Sequence, residues 1–287
     1  MSEYIVYVKV ARLDGRLPYL HVPELLNELD IKSNWIHHFI PSISIPKPRN
    51  GIDFINKFNI NSETNGNHHF LFCYLDNKII LKVLLNYLKI YCKYFSLIRY
   101  KNLFSIKNSN LNFWFLLKSD FNNSFFGPKL IENLLWIELF EKMFSEIPTQ
   151  KIGIFLQENQ SWEKALITAW RKFNHGKLLG LNNGFVRFWD TRFFDDYTNI
   201  QNSSSLNQPL PDFTILTDPS SWFEYVNSGY PESKLIKAET IRYFDLCLKN
   251  KKNIKKENII NDSEKIKGIV LGDIVKKTTN DMIKCIE

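Results

Sequence analysis

The stretch from Lys151 to Asp196 constrains the fold of this chain more than any other. It opens with KIGIFLQ, a mostly apolar run containing β-branched isoleucine, which is typical of a strand buried in a parallel sheet. A helical pattern follows, and the next apolar run, LLGL, predicts a second buried strand. The sequence therefore predicts a strand, a helix and a parallel second strand in succession, which is a βαβ unit.

The helix of this unit is predicted from its start signal and from the spacing of its apolar residues. Ser161 is of a residue type that caps helices, and Glu163 lies in the first turn, where the helix dipole favours an anion. Large apolar residues then recur at helical spacing for about three turns. His175 and Gly176 are predicted to end the helix.

Polar side chains stand at the ends of both strands. Glu158 and Asn159 follow the first strand, and Asn182 and Asn183 follow the second. Because ligands of open α/β sheets bind beyond the carboxyl ends of the strands, we predict the site at this edge. Glu158 is the candidate general base, since a partly desolvated carboxylate there would have a raised pKa. The alternative is a carboxylate that caps the next helix or pairs with Arg187.

The rest of the chain repeats the alternation of strands and helices. YIVYVKVA and NWIHHFI predict strands near the start, PELLNELD and GIDFINKFN predict short helices, and NINSETNGNHH predicts a loop. Further on, PDFTILTD and KLIKAE predict strands, with a helix from Pro219 between them and the helix TIRYFDLCLKN after them. This alternation predicts an α/β fold, with a Rossmann-like parallel sheet flanked by helices.

Residues 76–147 predict a helical insertion, in which a long helix over 76–100 is followed by a helical stretch and by a helix between Pro128 and Pro148. The polar residues of the long helix form one narrow stripe: Lys82, Asn86, Lys89 and Lys93. Two interpretations fit this pattern. The helix is either a core helix with one solvated edge, or an amphipathic helix that lies on anionic lipid. Three lysines argue strongly against a membrane span.

Composition limits the class of protein. A hydrophobic content of 44% is sufficient for a packed core, and four cysteines without a CxxC pair, with no signal peptide, predict a cytoplasmic protein. The net charge of +7 suits nucleic acid, anionic lipid and phosphorylated substrates alike. No nucleic-acid-binding motif is present, so we predict no nucleic-acid partner.

A metal site is not predicted. The histidines occur as two adjacent pairs: His37, His38, His68 and His69. Neighbouring residues of a strand point to opposite faces, and no acidic partner stands at a ligand-like interval. Asp195 and Asp196 are adjacent rather than spaced as a DxD pair. We therefore expect neither a metal nor a cofactor.

The segment 249–267, KNKKNIKKENIINDSEKIK, predicts a charged linker. It separates a predicted Rossmann-like N-terminal domain, 1–248, from residues 268–287, where GIVLGD predicts one further strand and the remainder a helix. One strand and one helix cannot bury their own apolar faces, so 268–287 is predicted to be the start of an incomplete second domain.

Several strings along the chain together resemble a family of bacterial surface carbohydrate biosynthesis proteins, associated with O-antigen and capsule clusters. The strings are ENLLWIELF, GIFLQENQSWEKALITAWRKFNHGKLLG, VRFWDTRFFDD, PDFTILTD to SGYPESKL, AETIRYFDL and VLGD, and the resemblance covers roughly residues 20–287. It implies a GT-B type glycosyltransferase with two facing Rossmann-like domains, of which 1–248 would be the first. It also implies a histidine at the end of the second strand of the βαβ unit, where this chain has Asn182, Asn183 and Gly184.

The resemblance implies a transferase in surface polysaccharide assembly, with a nucleotide-sugar donor and a glycan or lipid-linked acceptor, located at the inner face of the plasma membrane. Its VRFWDTRFF string is dense in the charged and aromatic residues that a sugar or phosphate site requires, although it could equally be a loop held by internal salt bridges. The substrate-binding candidates there are Arg187, Trp189, Asp190 and Arg192, and those at the later strand-to-helix turn are Glu239 and Arg242. The alternative function is a non-catalytic carbohydrate-binding or scaffold protein derived from a truncated transferase.

Overall fold

The computed structural model describes residues 4–11, 30–39, 47–61, 66–99, 104–105, 111–182, 184–187, 190–193, 209–239 and 284. The strands in this part of the chain are β1 (Tyr4–Ala11), β2 (Lys32–Phe39), β3 (Gly66–Phe70), β4 (Ile152–Gln157), β5 (Lys177–Asn182), β6 (Phe213–Leu216) and β7 (Leu235–Lys237). The α-helices are α1 (Pro48–Asn61), α2 (Asn77–Leu97), α3 (Trp114–Phe125), α4 (Gly127–Glu146), α5 (Ser161–Lys172) and α6 (Pro219–Asn227). Short 3₁₀ turns lie at Leu71–Tyr74, Thr191–Phe193 and Glu232–Lys234.

The strands form one parallel sheet in the order β3-β2-β1-β4-β5-β6-β7. Tyr7 of β1 is in register with Trp35 of β2 on one side and with Ile154 of β4 on the other. The first six strands of this order match the Rossmann arrangement, in which the order reverses between β1 and β4. The prediction of an α/β fold with a parallel sheet is confirmed.

Helices cover both faces of the sheet. Ile36 of β2 and Leu178 of β5 belong to a buried core shared with α2, α4 and α5. Phe70 of β3 packs instead against Ile55 of α1. Since Phe70 is in register with His37, which follows Ile36, it points to the opposite face of the sheet. The βαβ unit predicted from the sequence therefore lies at the centre of a sheet with helices on either side.

The chain separates into two compact units, residues 1–242 and 243–287. Nearly all described residues belong to the first unit. The predicted linker 249–267 and the predicted start of a second domain, 268–287, lie outside the described residues, apart from Lys284. The predicted helices over 23–30 and 240–250 lie outside them as well, apart from Asp30 in a turn.

Two local predictions were wrong. The stretch predicted as a loop before residue 70 contains β3, with sequence GNHHF, which pairs with β2 at the edge of the described sheet. Ser161 does not cap α5, because Gln160 takes the N-cap position and Ser161 is the first helical residue. β3 depends on pairing with a strand distant in sequence, whereas the N-cap of α5 is decided locally by the contact between Gln160 and Glu163.

Candidate functional site

The carboxyl ends of β4 and β5 place two amide side chains next to each other. β4 ends at Gln157 and β5 ends at Asn182, and these two residues are in register. Registered residues of parallel neighbours point to the same face of the sheet. Each is only 2% exposed, so this pair of amides is buried at the predicted edge.

Each of the two amides has one atom without a hydrogen-bond partner among the described residues. Gln157 donates from Nε2 to Oδ1 of Asn159 at 3.3 Å, while its Oε1 has no donor. Asn182 accepts at Oδ1 from the backbone N–H of Gly184 at 3.0 Å, while its Nδ2 has no acceptor. A buried polar group left unpaired costs about 1–3 kcal/mol. One acceptor and one donor are thus left unpaired among the described residues at this edge.

Gly180 makes room for the Gln157 amide. It stands two residues before Asn182 on the same face of β5, and a Cβ at this position would collide with Oε1 of Gln157 and lie 3.1 Å from Cγ of Pro211. The absence of a side chain lets the amide fold over the backbone of β5. Gly180 is therefore part of the structure that positions Gln157.

The turn between β4 and α5 is built around the carboxylate of Glu163. Its Oε1 accepts from the backbone N–H groups of Glu158 at 2.9 Å and Gln160 at 3.0 Å, and its Oε2 accepts from that of Asn159 at 3.0 Å. Asn159 adopts a left-handed conformation, with φ of 55°, which asparagine tolerates better than most residues. Three consecutive N–H groups are therefore directed at one internal anion. This agrees with the predicted first-turn role of Glu163.

Burial opposes the charge on Glu163. The residue is 1% exposed, and desolvation raises the pKa of its carboxyl group to about 7, although the three backbone N–H donors act in the opposite direction. The neighbouring Glu158 carboxylate adds to the rise. A buried carboxyl group at the edge of the site is therefore poised to change its protonation near neutral pH.

Asp190 and Arg192 form a closed ion pair beside this turn. Nε and Nη2 of Arg192 each donate to a different carboxylate oxygen of Asp190, both at 2.8 Å. These bonds lower the pKa of Asp190 and raise the pKa of Arg192. The backbone carbonyl of Arg192 accepts from Nδ2 of Asn159 at 2.6 Å, which ties this loop to the β4–α5 turn. The loop is thus held by an internal salt bridge, one of the two predicted alternatives for this string.

Glu158 lies at the rim of the site rather than within it. Its side chain is exposed, contrary to the expectation of a partly desolvated carboxylate. It makes no described ion pair with Arg187, which is also exposed. The Glu158 charge contributes to the raised pKa of Arg192, so the two side chains are electrostatic neighbours. The structure thus brings together Glu158, Asn159, Asn182, Asp190 and Arg192.

The remaining predicted residues are not joined to this group. Glu239 is exposed and follows β7, which is separated from β5 by β6. Asn183, Trp189 and Arg242 lie outside the described residues.

The histidines form a buried pair away from the amides. His37 and His68 approach at 2.9 Å between Nε2 and Nδ1, while His38 contacts the rings of Trp136 and Trp162 on the other face of the sheet. The predicted opposite orientation of adjacent histidines is confirmed. No group of metal-ligating side chains occurs among the described residues.

A cleft of about 580 Å³ lies elsewhere, at the junction of α3 and α4. Its lining residues are mostly polar: Asp120, Asn123, Ser124, Phe126, Pro128, Lys129 and Glu132. We place the candidate site at the strand ends instead, because buried amides with unpaired atoms are found there.

Sequence reasoning missed Gln157 and Gly180. The available signal was a polar residue ending an otherwise apolar strand, together with a glycine two residues before the end of the neighbouring strand. Their pairing depends on the register of β4 and β5.

The chain has no significant match among protein-family models, curated proteins or solved structures.

Proposed function

We propose that this chain is a glycosyltransferase of bacterial surface polysaccharide assembly, or the N-terminal part of a GT-B transferase. The observation that carries the proposal is the pair of buried amides at the ends of β4 and β5, with Oε1 of Gln157 and Nδ2 of Asn182 unpaired. The pair lies at the carboxyl edge of a sheet with Rossmann strand order, where ligands of such sheets bind. The family resemblance of the sequence supports the same function.

The chemistry of the two amides fits a sugar or a nucleobase. A sugar hydroxyl both donates and accepts, and a nucleobase edge presents donors beside acceptors. Either would donate to Oε1 of Gln157 and accept from Nδ2 of Asn182. Because both side chains are buried, each hydrogen bond would also relieve an unpaired polar atom. We infer that the sugar or base of a nucleotide-sugar donor occupies this position.

Glu158 is the proposed general base. It follows Gln157 directly and is exposed at the rim, where an acceptor hydroxyl would approach from solvent. Its role would be to take the proton of a glycan or lipid-linked acceptor as the new bond forms. Arg187 lies three residues before the Asp190–Arg192 ion pair, is exposed and makes no ion pair among the described residues. It is the proposed cation for the leaving phosphate.

Two observations favour the second candidate, a non-catalytic carbohydrate-binding or scaffold protein. N–H groups at a helix N-terminus are suited to bind phosphate, but those of the β4–α5 turn already bind Glu163. The charge of Arg192 is likewise neutralised by Asp190. If the groups that would bind phosphate are already bonded to Glu163 and Asp190, the site would bind a sugar through the amides without activating a phosphate leaving group.

The first experiment measures ligand binding by the full chain. Isothermal titration with uridine, guanosine, cytidine and thymidine nucleotide sugars, their nucleotides and the free sugars would identify the class of ligand. Asn182→Asp keeps the acceptor for Gly184 and replaces the Nδ2 donor by an oxygen, so we expect affinity to fall about tenfold or more. Asn174→Asp is the matched control, because Asn174 is exposed in the turn before β5, at the opposite end of that strand.

The outcomes separate the two functions. Tight binding of a nucleotide sugar, weakened only by Asn182→Asp, supports the transferase. Binding of free sugars without a nucleotide preference supports the second candidate. Equal affinity of both variants, or no binding to any compound in the panel, would contradict a ligand site at the amides.

The second experiment tests the base. Transfer from the identified donor to membrane-extracted acceptor should fall about a hundredfold or more in Glu158→Gln, with donor affinity unchanged. Glu232→Gln, an exposed glutamate before β7, serves as the control. Unchanged transfer by Glu158→Gln would remove Glu158 from this role.

A further inference from the structure

The outward face of α2 is apolar and exposed. Its large hydrophobic side chains are between 40% and 59% exposed: Ile80, Leu81, Leu84, Leu85, Leu88, Tyr91 and Phe95. We call these seven residues the apolar face of α2. Contiguous exposed apolar surface of this kind marks interaction sites with proteins or membranes. Of the two interpretations left open by the sequence, a core helix with one solvated edge does not agree with this exposure.

The first two residues of the polar stripe of α2, Lys82 and Asn86, contact the protein, whereas Lys89 and Lys93 are exposed. Lys82 places Nζ 2.5 Å from Oε2 of Glu138 on α4, and Asn86 donates from Nδ2 to Oε1 of the same carboxylate at 3.4 Å. Glu138 is buried. Of the side chains of α2, only Ile79 and Val83 are buried against the protein. Since these polar contacts and the buried Ile79 and Val83 lie on one side of α2, the opposite side of the helix is left to solvent.

The start of α3 extends the exposed apolar surface of the insertion. Phe115 is 76% exposed and Leu116 is 59% exposed, and none of the side chains of α3 is buried. α3 contacts α2 through Tyr94, whose hydroxyl donates to Oδ1 of Asn122 at 2.9 Å and whose ring packs against Phe125. The two helices therefore form one unit with apolar side chains on its outside.

The positive charge of residues 77–119, which include α2, indicates an anionic partner. Residues 77–119 contain eight Lys and Arg and no Asp or Glu, whereas the other residues of the chain contain 29 Lys and Arg and 30 Asp and Glu. The excess positive charge of the whole chain thus resides in the segment that carries the apolar face. Lys89 follows Leu85 by one helical turn and Lys93 follows Lys89 by another, so exposed lysines border the apolar face.

From these observations we propose that the apolar face of α2 docks on the surface of an anionic lipid bilayer. Leucine and aromatic side chains would enter the acyl boundary, and Lys89 and Lys93 would meet lipid headgroups. No described helix is both long enough and apolar enough to cross a bilayer, so the contact would be with the surface. This inference does not depend on the transferase proposal.

A second copy of the chain fits the face less well. A twofold symmetric interface brings the same patch of both subunits together. Here that would oppose two segments with eight positive and no negative side chains each. The repulsion between them favours an anionic surface as the occupant.

Vesicle flotation of the full chain tests the proposal. We expect binding to vesicles of phosphatidylcholine mixed with phosphatidylglycerol, little binding to phosphatidylcholine alone, and weaker binding as salt is raised. Leu84→Gln with Leu88→Gln should lower the partition coefficient about tenfold or more, because it removes two large apolar side chains from the contact. Phe223→Gln on α6 is the control, since Phe223 is exposed outside the insertion.

Charge reversal provides an independent arm. Lys89→Glu with Lys93→Glu should also lower partition about tenfold or more. Lys82 is left unchanged because it holds Glu138. Lys57→Glu with Lys177→Glu reverses two exposed lysines outside the insertion and should retain most of the binding. Circular dichroism checks that every variant is folded.

Three results would overturn the proposal. One is equal binding to neutral and anionic vesicles, or no binding to either. Another is unchanged binding of both the glutamine and the glutamate variants. The third is a dimer in sedimentation velocity that Leu84→Gln with Leu88→Gln dissociates, which would assign the apolar face to a second copy.

Discussion

His68 is held neutral inside the protein by its surroundings on β3. Its ring bonds to His37 and stacks on Trp35 at 5.7 Å between centroids. Desolvation, with a smaller contribution from His69, lowers the pKa of His68 from 6.5 to about 4. Between these two values the unfolded chain binds a proton that the folded protein does not. His68 therefore favours folding above about pH 6.5, and this advantage is lost as the pH falls toward 4.

Urea unfolding as a function of pH tests this statement. On going from pH 7 to pH 4, His68 should remove about 2–3 kcal/mol from the free energy of unfolding. Glu163 acts with the opposite sign, because its raised pKa favours folding below 4.5 and loses that effect as the pH rises to about 7. The comparison is therefore between the wild type and His68→Gln, whose curve should be flatter. Parallel curves would show that His68 does not titrate in this way.

At the scale of elements, the β4–α5–β5 crossover contains a close backbone contact between the turn that precedes β5 and the residues that precede β4. Gly176 follows α5, and its N–H donates to the carbonyl of Gln150 at 2.7 Å. A Cβ on Gly176 would collide with the backbone carbonyl oxygen of Lys151. The backbone just before β4 is therefore packed directly against the backbone just before β5.

We predict that Gly176→Ala lowers the free energy of unfolding by about 1–3 kcal/mol, because backbone atoms must separate to admit the methyl group. Gly184→Ala is the matched control. Gly184 has nothing within 4 Å of an added Cβ, so its substitution should change stability by less than about 0.5 kcal/mol. Denaturant titration of both variants provides the comparison. Equal stability of the two would contradict the close packing at Gly176.

The elements that the sequence predicts well are those with strong local patterns. β4 and α5 have a continuous apolar run and a clear helical spacing, and both occur where predicted. β3 has no such pattern, because GNHHF is stabilised by pairing with β2 and by the contact of His68 with His37. β3 is a strand because it pairs with the rest of the sheet, and its own five residues do not predict this.

The same distinction applies to the site. Glu158, Asn159 and Asn182 follow from the rule that ligands bind beyond strand ends, and the structure places them at one edge. Gln157 was missed because it was counted as the end of an apolar strand. Only the register of β4 with β5 shows that it faces Asn182.

At the scale of the whole molecule, the described part divides into a densely packed sheet and a loosely attached helical pair. Phe155 of β4 is 0% exposed and lies in the same core as helices α4 and α5. α3 has no buried side chain, and α2 has two. The strand order also involves the whole molecule, because β1 and β4 are neighbours in the sheet although they are far apart in sequence.

Hydrogen exchange should resolve this division. Local opening requires less free energy where fewer apolar contacts are lost. The slowest amides of α2 and α3 should therefore exchange about tenfold or more faster than those of β4 and β5. Mass spectrometry of peptides from both regions measures the difference. Equal protection throughout would mean that the helical pair opens only with global unfolding.

The turn around Glu163 carries its own ligand. Because the Glu163 carboxylate belongs to the same chain, its effective concentration at the three N–H groups is set by the chain. A dissolved anion must therefore compete with this carboxylate for the three N–H groups. Competition from Glu163 would thus weaken the binding of phosphate at this turn without any steric block. Shortening Glu163 to glycine would turn the same three N–H groups into a receptor for small anions such as acetate, and the stability recovered on adding acetate would report how strongly the tether had held the position.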